Sequence, residues 1–369
     1  MKLKKKNCAI ALIILLLLLF EIVNPFKLAS SHALRELKYS KDSANKIIEY
    51  NLKDRVLEHE YSEFIDKFVS SKYFNVSNYE IYQQLNYYNH FDNLELINKL
   101  IEKGYNASEI DCIVKTGNDS SINEFLNKDK YENIVEFLNF DYAKLHNLER
   151  YIAYQKKTIY DYDETVLYVE IGLDNEFYTE YNDVNEFSFD MLVNKYNKLD
   201  DNFVPEDLVL VDKKYSVNNS NYGNSTMLNQ FYKMADDLNK ELDLKVYIRS
   251  GYRTYESQQE VYDEYLDLYG KNYVKKYVAY PGFSEHQTGL AVDLKASSSN
   301  TFKDTKEAKW LKENAYKYGF IERYTKKLED VTGYQNESWH YRYVGVEIAT
   351  YIKENNISFD EYYVRFLSK

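Results

Sequence analysis

The sequence predicts an α+β fold: a small antiparallel sheet flanked by helices toward the C-terminus, preceded by a mainly α-helical N-terminal region. Three observations lead there. The chain has 369 residues, more than one core needs, so two domains are expected. Of its 11 glycines, four precede residue 251 and seven lie from Gly251 onward, so turn-forming residues concentrate in the rear of the chain. In that rear part short β-rich runs mix with helical stretches in an order that suits α+β rather than a doubly wound sheet. A composition of 44% hydrophobic and 29% charged residues is globular and excludes a disordered chain.

The N-terminus reads as a targeting segment. Lys2 to Lys6 form a cationic start, and the 13 residues from Cys8 to Phe20 are apolar and uncharged. That run is short for a spanning helix, which needs roughly 17–25 residues, and suits a signal peptide. Only Glu21 separates it from Ile22-Val23, so residues 1–34 are expected to be either a cleaved signal peptide or a retained N-terminal membrane anchor. Lysines ahead of the run place the body of the chain beyond the cytoplasmic membrane, secreted or single-pass anchored.

Residues 35–155 read as short helices. Leu94, Ile97, Leu100 and Ile101 share one helical face, closed by Gly104. Asn106-Ala107-Ser108-Glu109 has the form of a capping box before Ile110 and Ile113. Ile122, Phe125 and Leu126, then Ile134, Val135 and Leu138, continue the pattern. An α-hairpin array and an ordinary helical domain both fit, and no strict repeat period is visible.

Beyond, the β-branched and aromatic run Thr165–Ile171, ended by Gly172, is expected as a strand within a linker over 156–189. A domain over 190–369 follows. In it Met227–Leu242 is an amphipathic helix, Val246–Ile248 a strand, Tyr255–Tyr269 a helix and Ala291–Leu294 a strand. Thr305–Tyr318 is a helix closed by Gly319, Trp339–Val344 a β-rich run and Val346–Asn355 a last helix.

Net charge is −12, and since residues 1–34 carry +4, the remainder carries −16. No Lys/Arg cluster outside the N-terminus offers a cationic footprint, so nucleic acid is excluded as a partner. Cys112 is the only cysteine beyond the apolar run, which rules out an intramolecular disulfide and a Cys-based zinc site in the body. It reads as a small buried hydrophobe.

Chemistry concentrates in two segments. His59, His90 and His146 stand singly among polar residues. By contrast, Ser284-Glu285-His286-Gln287-Thr288-Gly289-Leu290-Ala291-Val292-Asp293 places a His before a turn and an Asp on the strand after it. Glu337-Ser338-Trp339-His340 places a carboxylate three residues before a second His. Two imidazoles and a carboxylate form an ordinary first shell for a catalytic zinc ion. A further, unligated carboxylate is what metal-assisted hydrolysis needs as general base. His286, Asp293 and His340 therefore fit as ligands and Glu337 as base. By residue type alone, a capped turn beside a structural Trp339–His340 pair fits as well.

At these residues the chain resembles the zinc D-Ala-D-Ala carboxypeptidases of the VanY type. The pattern S-x-H-x-x-G-x-A-x-D is met by Ser284 to Asp293, and E-x-W-H-Y-R-Y-V-G by Glu337 to Gly345. The SGYR signature stands as Ser250-Gly251-Tyr252-Arg253, with Gln258 at the expected place downstream. The resemblance covers about residues 190–350 and departs at Tyr280, Phe283, Thr325 and Ser338.

The resemblance implies that His286, Asp293 and His340 bind one Zn2+ and that Glu337 is the catalytic base. Arg253 would steady the oxyanion, and Ser250, Gln258 and Ser284 would contact substrate. The implied activity is an exported metallo-carboxypeptidase, a hydrolase that removes the C-terminal D-alanine from peptidoglycan stem peptides by zinc-activated water. An L,D-carboxypeptidase, a D,D-dipeptidase of the same superfamily and a non-catalytic cell-wall binding module are the alternatives. The implied partners are the stem peptide and, through an uncleaved N-terminal segment, the membrane.

Overall fold

A computed structural model of the protein describes residues 27–368. The apolar run of the expected leader lies outside the described residues. Among those described, no helix is long and apolar enough to cross a membrane. The chain divides into two compact units, one ending at Glu149 and the other beginning at Arg150.

The first unit is a series of short helices, among them Lys41–Glu49, Glu63–Phe68, Leu94–Glu102, Ala107–Thr116, Asp119–Leu126 and Ile134–Leu138. Polar side chains cap the first five of these, from Ser40, Ser62, Asn93, Asn106 and Asn118. The Asn106 side chain accepts from Glu109 N at 3.0 Å while the Glu109 carboxylate accepts from Asn106 N at 2.8 Å, so the expected capping box forms. Cys112 is buried, as its apolar surroundings suggested.

A spacing absent from the sequence reading recurs here. Asn86 and Asp111, Asn98 and Tyr73, and Arg55 and Glu80 are hydrogen-bonded pairs 25 residues apart. Asn93 and Asp119, Lys115 and Asp141, and Lys130 and Gly104 are bonded at 26. Successive turns of chain therefore stack at a nearly constant offset, the mark of a tandem helical array. The stacking is carried by scattered polar pairs, which is why no motif repeats visibly in the sequence.

In the second unit, the segment Thr165–Ile171 corrects the expectation of a strand: Tyr162–Ile171 is a helix. Asp161 caps it in a capping box with Glu164, and Gly172 ends it with φ of +106°. Thr165, Val166, Leu167, Val169 and Ile171 are all buried. A helix buried on several sides has a continuous apolar run, which periodicity cannot tell from a core strand. Arg365 pairs with Asp163 at 2.7 Å, so this helix is tied to the C-terminal helix Phe359–Phe366, which the sequence reading omitted. The only strand found between 156 and 189 among the described residues is the two-residue Asn182–Asp183.

The site is carried by a four-stranded antiparallel sheet: β1 (Val246–Ser250), β2 (Ala291–Ala296), β3 (Phe320–Tyr324) and β4 (Glu337–Tyr343), in the order β1-β2-β4-β3. β3, which directly follows Gly319, is a strand that the sequence reading did not assign. One face of the sheet is apolar. Ile248, Val292, Leu294 and Tyr341 pack there against Leu228, Phe231, Met234 and Leu238 of the helix Ser225–Leu242 and against Leu311 of the helix Lys306–Asn314. The opposite face is left for polar side chains.

Candidate active site

Strand register sets the first two candidate ligand groups side by side. Asp293 on β2 pairs directly with His340 on β4, so both side chains rise from the same face. The third arrives by a turn. Glu285–Thr288 is a short 3-10 helix that ends at Gly289 with φ of +70°. A side chain at Gly289 would meet Leu208 and Pro205 as well, so glycine suits both the backbone and the space. The turn carries His286 back over Asp293, seven residues ahead of it in the chain. The sequence-derived trio is thus brought together: His286, Asp293 and His340 are buried, and their ligand atoms lie within 4.8 Å of one another.

The hydrogen bonds select the ring nitrogens. His286 Nδ1 lies 2.8 Å from Gly251 O, a bond only its N–H can make, which leaves Nε2 as the lone-pair nitrogen 3.5 Å from Asp293 Oδ1. His340 Nε2 lies 3.1 Å from Glu285 Oε2, and Nδ1 lies 3.1 Å from Asp293 Oδ1. With Nε2–H donated to Glu285, Nδ1 turns its lone pair to the same point. Two imidazole lone pairs and a carboxylate converging on one spot, each ring braced from behind, fit a zinc ion.

Electrostatics hold two of the three groups in the form that binds a cation and leave a proton on the third. Burial disfavours the charged form of Asp293, yet the two imidazoles hold its carboxyl well below the usual range. Burial likewise pushes His286 down, outweighing the opposing pull of Asp293. For His340 the carboxylates of Asp293 and Glu285 outweigh burial and lift it to about 9.

Glu285, quoted above only as part of a motif, contacts His340 in the site, a place that sequence reasoning missed. It is fully buried, and Arg323, His340 and Arg342 keep it ionised against the cost of burial. Arg323 Nε donates to Glu285 Oε1 at 2.8 Å, and its Nη1 donates to Asp360 Oδ2 at 2.7 Å. Asp360 also accepts from Asn194 Nδ2 at 2.7 Å. A buried chain of charges thus runs from His340 to the C-terminal helix. The alternation of charge types at 285, 323 and 360 exists only in three dimensions, so no local signal marked it.

Glu285, His286, Asp293 and His340 border a cavity of about 260 Å3, which Arg253, Gln258, Ser284, Glu337, Trp339 and several tyrosines also line. Glu337 sits at its wall, its carboxyl pushed up to about 7 by burial and by Asp293, against the pull of His340 and two arginines. Arg253 donates from Nη1 to Gln258 Oε1 at 2.7 Å and from Nη2 to Ser250 Oγ at 2.9 Å. Gln258 is itself pinned, donating Nε2 to Ala279 O at 2.7 Å. Gln258 and Ser250 therefore aim the guanidinium in this structure, and Ser284 lines the cavity wall. Gly251, between Ser250 and Arg253, passes so close to Tyr222 O that a Cβ would lie 2.3 Å from it, which explains the glycine.

Comparison with known proteins follows the same residues. The profile of a family described as VanY, D-alanyl-D-alanine carboxypeptidase, matches residues 220–346. A putative carboxypeptidase YodJ of Bacillus subtilis is 41% identical over 180 residues, 47% of this chain and 66% of the relative. A D-alanyl-D-alanine carboxypeptidase of Enterococcus faecalis is 44% identical over 124 residues, 31% of this chain and 46% of the relative. One from Enterococcus faecium is 32% identical over 237 residues, 62% of this chain and 69% of the relative. The chain thus spans less than two thirds of the first two relatives and slightly more of the third. Among solved structures, that of a VanY D,D-pentapeptidase variant in complex with Zn(II) is 34% identical, with a TM-score of 0.42, covering 47% of this chain and 99% of the other.

Proposed function

The chain belongs to the VanY family of D-alanyl-D-alanine carboxypeptidases, and from that premise we propose that it is a zinc-dependent carboxypeptidase removing the C-terminal D-alanine of peptidoglycan stem peptides. The observation that carries the proposal is the convergence of His286 Nε2, Asp293 and His340 Nδ1 in a cavity that Glu337 and Arg253 also line. His286, Asp293 and His340 would hold one zinc ion, which would supply Lewis-acid polarisation of the scissile carbonyl.

The chain's own residues do the rest. Glu337, with a proton affinity near neutral, takes the proton of the attacking water and returns it to the leaving amine. Arg253, fixed by Gln258 and Ser250, faces the charge that develops on the scissile carbonyl oxygen. The cationic and apolar start of the sequence supports action beyond the cytoplasmic membrane, with residues 1–34 as leader or anchor.

The test is to incubate the purified chain, with zinc and then with chelator, with pentapeptide and tetrapeptide stems, and to weigh the products by mass spectrometry. Chelator-sensitive loss of one D-Ala from the pentapeptide is the expected result. Loss only from the tetrapeptide would assign an L,D-carboxypeptidase, and loss of a dipeptide would assign a dipeptidase. No cleavage of either by the zinc-loaded chain would overturn the proposal.

A further inference from the structure

Arg249 and Trp339 stand at the edge of the catalytic cavity, with the guanidinium 5.7 Å from the centre of the Trp339 ring. Arg249 and Trp339 also border a second groove, of about 680 Å3, whose other lining residues include Lys295, Lys303, Asn300 and Asn336. Among the described residues, the lining carries three cations and no carboxylate. That is unexpected on a chain of net charge −12. Lys295 lies two residues beyond Asp293 on β2, on the same face of the sheet and so about 7 Å further along. Lys303 enters from the short 3-10 helix Phe302–Asp304 that follows. Both are exposed, and among the described residues neither has a carboxylate partner within ion-pair distance. Arg249 is half exposed and reaches Asp293 Oδ2 only at 3.6 Å.

We infer that this groove is a subsite for an acidic residue of the peptide on the N-terminal side of the cleaved bond. The inference rests on the proposed carboxypeptidase reading and adds to it the chemistry of the substrate beyond its terminal residue. A carboxypeptidase holds the last residue inside the cavity, so the preceding chain must leave by an open edge. The edge at Arg249 and Trp339 adjoins a groove whose charges suit carboxylates. Lys295 and Lys303, being neither buried nor paired, keep their charge available without any cost of breaking an internal contact. Charges of this kind set specificity and encounter rate more than raw affinity.

The test compares two peptides that end in D-Ala-D-Ala and differ only in carrying glutamate or glutamine upstream of the cut. They are given to the zinc-loaded full chain and to a K295Q/K303Q variant at low salt. Two partly exposed ion pairs give a preference of about tenfold in kcat/KM for the acidic peptide. The double variant is expected to lose that preference and to cleave the glutamine peptide as before. Equal rates on the two peptides, a preference retained in the variant, or an equal fall on both peptides would each overturn the inference. So would competitive inhibition by polyphosphate without any preference between the peptides, which would assign the groove to a phosphate polymer.

Should neither peptide be cleaved, the carboxypeptidase reading fails while the groove remains open to test by fluorescence anisotropy of the labelled peptides. Tighter binding of the glutamate peptide to the chain than to the double variant would support the subsite, and equal binding would overturn it.

Discussion

Glu285 stands behind His340: its Oε2 lies 3.1 Å from His340 Nε2, on the side of the ring away from Asp293. This bond fixes which nitrogen carries the proton and turns Nδ1 toward the other ligating atoms. The carboxylate–imidazole pair is held in turn by Arg323 and Arg342, so its orientation is set by the fold rather than by solvent.

Glu285→Gln is therefore expected to weaken zinc binding by about 10- to 100-fold, the usual cost of losing a partner behind a metal-bound imidazole. Competition against a coloured chelator measures this directly. An unchanged zinc affinity would show that the bond does not orient His340.

Glu337→Gln separates chemistry from metal binding. The side chain lines the cavity and is not among the three converging ligand groups. Loss of a general base costs about 100- to 10,000-fold in kcat. Zinc content, measured on the same preparation by elemental analysis, is expected to stay at one ion per chain. A variant that lost its zinc as well would place Glu337 among the ligands.

Much of this site could be read from the sequence, and the reason is local. His286 and Asp293 lie on one turn-and-strand segment, Glu337 and His340 on one strand, and Ser250 and Arg253 on one strand end. Each pair has fixed spacing that backbone geometry translates into position. Glu285, Arg323 and Asp360 form their chain across elements far apart in sequence, so spacing says nothing of it. The helix Tyr162–Ile171 failed for another reason. Its burial on several sides erased the helical period, although the Asp161–Glu164 capping box and Gly172 marked its ends. The 25- to 26-residue stacking in the first unit was hidden because different residue types perform the same bridging role in each turn.

Arg253 tests how far fixed geometry matters. Its two donors to Gln258 and Ser250 need a planar fork, which lysine lacks. Arg253→Lys is expected to lower kcat/KM by about 100-fold, in line with loss of one aimed donor to an oxyanion. Gln258→Ala leaves the guanidinium in place but unaimed, and about tenfold is expected. Steady-state kinetics on a pentapeptide stem measures both. A larger loss in Gln258→Ala than in Arg253→Lys would mean that Gln258 acts on the substrate directly rather than through Arg253.

The metal-free protein should lose stability as pH rises. His340 is lifted from an ordinary 6.5 to about 9 by its two carboxylate neighbours. The folded state therefore holds a proton that the unfolded chain has released between those values. Stability from this contact is complete below pH 6.5 and disappears as pH climbs to about 9. Glu337, raised from 4.5 to about 7 chiefly by burial, acts in the same direction between those values. The Tm of the chelator-treated protein is expected to fall from pH 6.5 to 9. Zinc must displace the His340 proton to bind, so close to one proton is released per ion at pH 7. Calorimetry in buffers of different ionisation enthalpy counts it, and a binding heat independent of buffer would show that His340 is already neutral.

The last prediction concerns the ion pairs that carry the site to the C-terminal helix. Arg323 is fully buried between Glu285 and Asp360 and makes charged hydrogen bonds to both. Replacing Asp360 by Asn leaves Asn194 a partner but removes one of the two charges that balance the guanidinium. Breaking one side of a buried pair costs about 3 kcal/mol, because the remaining charge stays buried without its counterpart. Replacing both members by apolar residues of similar size removes that stranded charge. It would also leave Glu285 without its closest cation, at the cost of the brace behind His340. Asp360→Asn is thus expected to lower stability in urea by about 3 kcal/mol with zinc affinity nearly kept. An Arg323→Met/Asp360→Leu chain is expected to recover part of the stability but to bind zinc more weakly. If both variants lost stability and zinc affinity in equal proportion, the chain would act as one packed core, and the separate role of Glu285 as the brace of His340 would fall.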